Sequence, residues 1–195
     1  MLYHLLVPLA KEHILFNVFR YITFRTAMAT VTAMVISFIL GPWLIRKLTR
    51  LQAGGETIRE DTPERHRAKA GTPTMGGLIL LVAILFSTLL WANLRNRYVW
   101  VIILVTAGLG AIGFLDDWRK LRTRKGISAG RKFGAQILLV GGLLSVLYLF
   151  PAEGFTTQLA IPFFKGWLVQ LGWLWIPFAF LVIVGASNAV NLTDG

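Results

Sequence analysis

The sequence predicts an all-α, polytopic integral membrane protein, and three observations carry that expectation. Of the 195 residues, 55% are hydrophobic and only 15% are charged, against about 25% charged in an ordinary soluble domain. Five stretches run for 18 to 20 residues without Asp, Glu, Lys or Arg. Each could cross a hydrocarbon core of about 30 Å at about 1.5 Å per helical residue. The mean hydropathy is +0.64, and such a chain has too little polar surface to coat a large soluble core.

The segment Met1 to Arg20 opens the chain with a short apolar patch, Leu5 to Ala10, interrupted by Pro8 and followed by Lys11 and Glu12. It lacks the basic start of a signal peptide and reads as a lead-in to the first span. The five predicted spans are residues 26–45, 75–94, 98–115, 133–150 and 173–192, within one transmembrane domain covering residues 1–195. Between the fourth and fifth, residues 151–172 hold the apolar pieces Leu159 to Phe164 and Trp167 to Leu171. These are too short to span and too apolar for a free loop, so a hairpin or interfacial segment is expected there. Zero cysteines exclude a disulfide framework. No internal repeat or low-complexity tract is visible.

Basic residues set the expected orientation, because short cytoplasmic loops collect Lys and Arg. Loops 46–74 and 116–132 hold seven each, fourteen of the chain's twenty basic residues, whereas 95–97 holds two and 151–172 only Lys165. Alternating spans then put both rich loops in the cytoplasm, the first terminus outside and Asp194 inside. Trp91, Trp100, Trp167 and Trp173 fall near the outer ends and Trp43 and Trp118 near the inner ones, as an aromatic belt requires. The net charge of +11 is explained mostly by this bias and by contact with anionic lipid. Nucleic acid is disfavoured as a partner, since no aromatic stacking platform accompanies the charge.

Four features converge on the cytoplasmic side. Asp116 and Asp117 follow the apolar run Tyr98 to Leu115 and precede Lys120. Adjacent helical residues diverge by about 100 degrees, so the two carboxylates take different jobs, while Asp117 and Lys120 are i, i+3 neighbours. Two acids at a helix carboxyl end oppose the macrodipole, which favours a role such as metal binding over a structural ion pair. Lys69 is followed by Gly-Thr-Pro-Thr-Met-Gly-Gly, residues 71–77. Thr74 suits an N-cap that would leave first-turn amides for a phosphate, and the glycines equally suit close helix packing. Asn188, Asn191 and Asp194 recur at i, i+3, and polar groups in a span face a partner helix or a site. Lys120, Arg122, Arg124, Lys125, Arg131 and Lys132 supply charge for phosphates. His4, His13 and His66 have no metal-ligand spacing. Carboxylates for a divalent cation, cationic groups and a phosphate-suited helix start together describe phosphoryl transfer.

Lys69-Ala-Gly-Thr-Pro-Thr-Met-Gly-Gly77, Phe114-Leu-Asp-Asp-Trp-Arg-Lys120 and Asn188-Ala-Val-Asn-Leu-Thr-Asp-Gly195 resemble, in order, motifs of the bacterial phospho-N-acetylmuramoyl-pentapeptide transferase family. The resemblance runs from about Phe16 to Gly195. It implies an enzyme of the cytoplasmic (inner) membrane that moves the sugar phosphate of UDP-N-acetylmuramoyl-pentapeptide to undecaprenyl phosphate with Mg²⁺. UMP and lipid I, the first lipid-linked peptidoglycan precursor, would be the products, which ties the reaction to cell-wall biogenesis, cell shape and cell division. It also implies Asp116 and Asp117 as the catalytic pair and metal ligands, and Asn191 and Asp194 as a nucleotide-binding region, with Asn188 among the substrate-binding residues. Lys69 and Thr74 would belong to the cytoplasmic substrate cleft, with Lys120, Lys125 and Lys132 as phosphate contacts. The bilayer and a second copy, as a homodimer, are the remaining candidate partners.

Family members are nearly twice this length, with roughly ten spans of the usual length, a third essential aspartate and a histidine-rich loop downstream. The chain is therefore expected to be the first half, to lack the main metal ligand and to show negligible activity alone. A related transferase acting on UDP-N-acetylglucosamine is the nearest rival, although the Gly-Thr-Pro-Thr-Met-Gly-Gly stretch favours the muramoyl enzyme. Half of a transporter is the distant one, because transport sites lie near the bilayer midplane and these acids lie at span ends.

A chain without cysteine makes the topology directly measurable. With an impermeant maleimide added to intact spheroplasts, Thr156→Cys is expected to label and Arg124→Cys to stay unlabelled until lysis. The opposite pattern would invert the assignment.

Overall fold

The computed structural model describes residues 1–52, 75–123, 125–164 and 166–194, with backbone alone at 51–52 and 191–194. The chain divides into two units, Met1–Ile127 and Ser128–Gly195. Helices dominate both, and among the described residues four are long and apolar enough to cross a membrane: Ile22–Arg50, Arg97–Thr123, Ala129–Leu149 and Gly172–Val190. A shorter apolar helix covers Gly77–Trp91. Large hydrophobic side chains face outward along these helices, among them Phe38, Ile39, Leu138 and Leu181. An outward apolar surface of this kind suits lipid as the solvent, and helices satisfy their backbone polar groups internally, as a bilayer demands.

The first unit comprises α1 (Leu2–Leu9), a 3₁₀ segment (Ile14–Arg20), α2 (Ile22–Gln52), α3 (Gly77–Trp91) and α4 (Arg97–Thr123). Helix α3 packs against α1, α2 and α4. In α2 the hydroxyls of Thr26, Thr30, Thr32 and Thr49 donate to the carbonyls four residues earlier at 2.7 to 3.0 Å. That local bonding lets an apolar helix carry hydroxyls without orphaned donors. Trp91 is buried, stacks on Phe19 at 6.0 Å, meets Phe24 edge-on and donates its indole N–H to Thr32 Oγ1 at 2.9 Å. A buried tryptophan needs that last partner.

Helix α3 is 15 residues long, stopping at Trp91 where the expected span continued to Leu94, because Ala92 turns to an extended conformation. Its last carbonyls are orphans by helix geometry and are met from α1. The Met1 ammonium donates to Leu89 O at 2.7 Å and Leu90 O at 3.0 Å, a cation set on the negative end of the helix dipole. The Leu94 amide donates to His4 Nε2 at 3.0 Å. The Arg25 guanidinium donates to Trp91 O at 3.5 Å and lies over the Tyr3 ring. Asn96 then caps α4, accepting from the Tyr98 amide at 2.9 Å.

The second unit contains α5 (Ala129–Gln136), one π-helical turn (Ile137–Gly141) and α6 (Gly142–Leu149) as one continuous helix, then a hairpin and α7 (Trp175–Asp194). Strands β1 (Gln158–Ala160) and β2 (Leu168–Gln170) pair antiparallel, with Leu159 opposite Val169. The hairpin carries an exposed aromatic tip, in which Phe164 stacks on Trp167. Val140, Leu144, Leu147 and Val184 form the buried core of this unit.

The His4 contact has a pH consequence. Desolvation first, and then the positive charges of Arg95, the amino terminus and Arg25, hold the imidazole below its usual value of about 6.5. Folding thus favours the neutral ring that accepts from Leu94, and the unfolded chain takes up the proton first as pH falls. The stabilisation is whole above about pH 6.5 and is lost below it, toward the lower folded value. The protection factor of the Leu94 amide, its slowing relative to an unstructured amide at the same pH, should fall on acidification, and His4→Phe should remove that pH dependence.

Candidate functional site

Helix α4 continues past the expected span end at Leu115 to Thr123, so the acidic–basic turn 116–120 lies within its last turns rather than at its terminus, and its geometry follows from helical spacing. Side chains at i, i+3 and i+4 meet on one face, and Lys120 Nζ lies 2.8 Å from Asp116 Oδ2 and 3.2 Å from Asp117 Oδ1. One ammonium thus bridges two carboxylates that diverge from adjacent positions. Their environments differ: the Asp116 side chain is 8% exposed and that of Asp117 37%. The other Asp116 oxygen, Oδ1, accepts from the Ile127 amide at 2.7 Å. Asp116 is thereby held on both oxygens, as a buried carboxylate must be.

Asp117 instead lines an apolar cleft of about 300 Å³ between α3 and α4. The walls are Leu78, Leu81, Ile84 and Phe114, and Gly77, Gly110 and Gly113 also line it. At Gly110 the two helices approach so closely that a Cβ would lie 2.6 Å from Leu81 Cδ2. Met75, at the entry to α3, is buried with φ of 75°, a left-handed backbone that costs a non-glycine residue of order 1–3 kcal/mol and is concentrated at functional sites.

The other candidate residues are placed as follows. Lys125 is exposed just beyond α4, its carbonyl accepting from Thr123 Oγ1 at 2.9 Å. In the second unit, Lys132 lies in the first turns of α5, with its amide on Ser128 O. Asn188 is bound to a neighbouring helix: its amide donates to Gln136 Oε1 at 3.0 Å and Val184 O at 2.9 Å, and it accepts from Gln136 Nε2 at 3.4 Å. Gln136 is buried and went unnoticed in the sequence, although a glutamine inside an uncharged 18-residue run was the available signal. Asn191 and Asp194 continue α7 as backbone only, and Lys69 and Thr74 lie outside the described residues.

Basic residues also gather in the last turns of α2, where Arg46, Lys47 and Arg50 share a shallow surface with Trp43. The Lys47 ammonium is 5.0 Å from the Trp43 ring, and in α4 Arg122 lies over Trp118 at the same distance. Among the described residues no three His, Asp or Glu side chains come together. With both Asp116 oxygens engaged, Asp117 is the carboxylate of this turn open to a ligand. One carboxylate supplemented by substrate oxygens and water is a donor set that suits Mg²⁺.

Comparison with known sequences bears on the family of the chain. The family model of Glycosyl transferase family 4 matches residues 99–195. Residues 69–81 match signature 1 of phospho-N-acetylmuramoyl-pentapeptide-transferase. Proteins of that name from Citrifermentans bemidjiense and Geobacter sp. strain M21 are each 53% identical over 197 residues, and one from Desulfatibacillum aliphaticivorans is 56% identical over 200. Every one of these matches covers the whole of this chain and 54% of the relative. The chain thus spans about half the length of the curated relatives it matches.

The Gln136–Asn188 pair is open to a double-mutant cycle. Either residue changed to Leu alone strands its buried partner and should cost about 1–3 kcal/mol, whereas the double change should recover part of that loss. Additive losses in thermal unfolding would show that the pair is not coupled.

Proposed function

The chain belongs to the phospho-N-acetylmuramoyl-pentapeptide-transferase family, matching its amino-terminal half, and from that premise we propose that it forms the catalytic-pair half of a Mg²⁺-dependent membrane phosphotransferase. The reaction proposed is transfer of phospho-N-acetylmuramoyl-pentapeptide from its UDP-linked donor to undecaprenyl phosphate, giving lipid I and UMP. This is the first membrane step of peptidoglycan synthesis. The observation that carries the reading is the unequal carboxylate pair at the end of α4, one member locked and the other on the cleft. The basic loops support a setting in the bacterial cytoplasmic membrane, with this end of α4 facing the cytoplasm.

An oxygen of the lipid phosphate attacks the phosphorus that bears the sugar. The bond from that phosphorus to the bridging oxygen breaks, and UMP leaves with the electron pair. The acceptor phosphate, with a second pKa of about 6, is already largely ionised near neutrality, so neutralising charge matters more than removing a proton. When bound, Mg²⁺ would supply that neutralisation, and Asp117 would be the residue of this turn to hold it. Lys120 keeps Asp117 oriented, while Lys125 and Lys132 offer cations to the diphosphate. By their match to the family motifs, Lys69 and Thr74 serve the substrate cleft and Asn191 and Asp194 the nucleotide. Asn188 contributes by holding α7 to its neighbour through Gln136. The remaining metal ligands are proposed to come from the other half of the family's length, so residues 1–195 alone should release negligible UMP.

In the full-length protein, Asp117→Asn should lower Mg²⁺-dependent UMP release by about 100-fold or more, the scale of losing a group aimed at developing charge. EDTA should abolish release and added Mg²⁺ restore it. Unchanged turnover by Asp117→Asn, or turnover with UDP-N-acetylglucosamine alone, would overturn this assignment.

A further inference from the structure

The turn that follows α4 folds back onto Asp116 at a point that has room for no side chain. The Ile127 amide donates to Asp116 Oδ1 at 2.7 Å. One residue earlier, a Cβ on Gly126 would lie 2.6 Å from that same oxygen and 3.0 Å from Lys120 Cε. Carbon atoms do not approach a carboxylate oxygen so closely without displacing something. The neighbour here is a short side chain already held at both ends, so it has little freedom to retreat.

We propose that the Gly126–Ile127 turn is a positioning element for the carboxylate pair. It clamps Asp116 through the Ile127 amide, which is possible only because Gly126 lacks a side chain, and it thereby decides which of the two acids is free for substrate. The proposal rests on the transferase reading of that pair. Lys120 has one ammonium for two acids, at 2.8 and 3.2 Å. If Asp116 lost its amide partner, it would draw on Lys120 more strongly, and the orientation of Asp117 toward the cleft would change with it. Gly126 touches neither cleft nor substrate in this account and acts only through Asp116.

The test is kinetic in the full-length protein and structural in parallel. Gly126→Ala should lower kcat by about 100-fold, as expected for a misplacement of about 1 Å, with KM for the UDP-linked donor unchanged. In an Asp116→Ala background, where the added methyl meets only the flexible Lys120 side chain, Gly126→Ala should cost little further. Parent-like kcat in Gly126→Ala, a rise in KM alone, or losses that add in the double variant would overturn the proposal. The activity-independent readout is hydrogen exchange at the Ile127 amide, which should lose protection in Asp116→Ala and keep it in Asp117→Ala. If the parent protein transfers no sugar phosphate, the transferase reading fails, and the exchange result still decides whether Asp116 is clamped by the Ile127 amide. Equal protection in both variants would refute it.

Discussion

A carboxylate buried at the water-facing end of an apolar helix must be compensated where it stands, and Asp116 meets that demand with two bonds. Lys120 Nζ at 2.8 Å neutralises one oxygen and the Ile127 amide at 2.7 Å satisfies the other. Leaving such a group unpaired costs several kcal/mol, so the chain after α4 is obliged to fold back within reach. That obligation places Gly126 against the carboxylate. It also leaves Asp117, one residue on and about 100 degrees round the helix, as the acid turned toward the α3–α4 cleft. The asymmetry of the pair follows from one buried charge.

The rest of the first unit keeps this end of α4 in place. Close approach at Gly110 brings α3 alongside α4, and α3 is anchored at its far end by the Met1 ammonium, the Trp91 cluster and Thr32. A helix of 15 residues spans only about 22 Å, less than a hydrocarbon core of about 30 Å, so its termini need partners other than lipid. The contacts from α1 provide them at one end. The left-handed Met75 begins the helix at the other end and contributes to the cleft wall.

Much of this was legible in the sequence because ionisable groups are costly in hydrocarbon. Apolar runs therefore announce helices, and charge marks where they end. The Asp117–Lys120 spacing also carried its own geometry, since i, i+3 residues are neighbours on a helix, while the bond from Lys120 to Asp116 is a finding of the structure. What stayed hidden depends on contacts between residues that periodicity does not relate. Nothing in the spacing showed that the Ile127 amide would return to Asp116, that the Met1 ammonium would cap a helix ending some ninety residues later, or that His4 would accept from the Leu94 amide just beyond it. Asn188 read as part of a polar stripe, yet its amide is bonded to Gln136, 52 residues away. Pairings of that kind are set by packing, and in the sequence they leave only an isolated polar residue in an apolar run.

The central claim, that one acid of the pair is locked and its neighbour open, can be read by carboxylate chemistry. Treating the chain in detergent micelles with a water-soluble carbodiimide and an amine, followed by peptide mass spectrometry, should modify Asp117 and spare Asp116. Equal modification of the two, or faster modification of Asp116, would contradict the account.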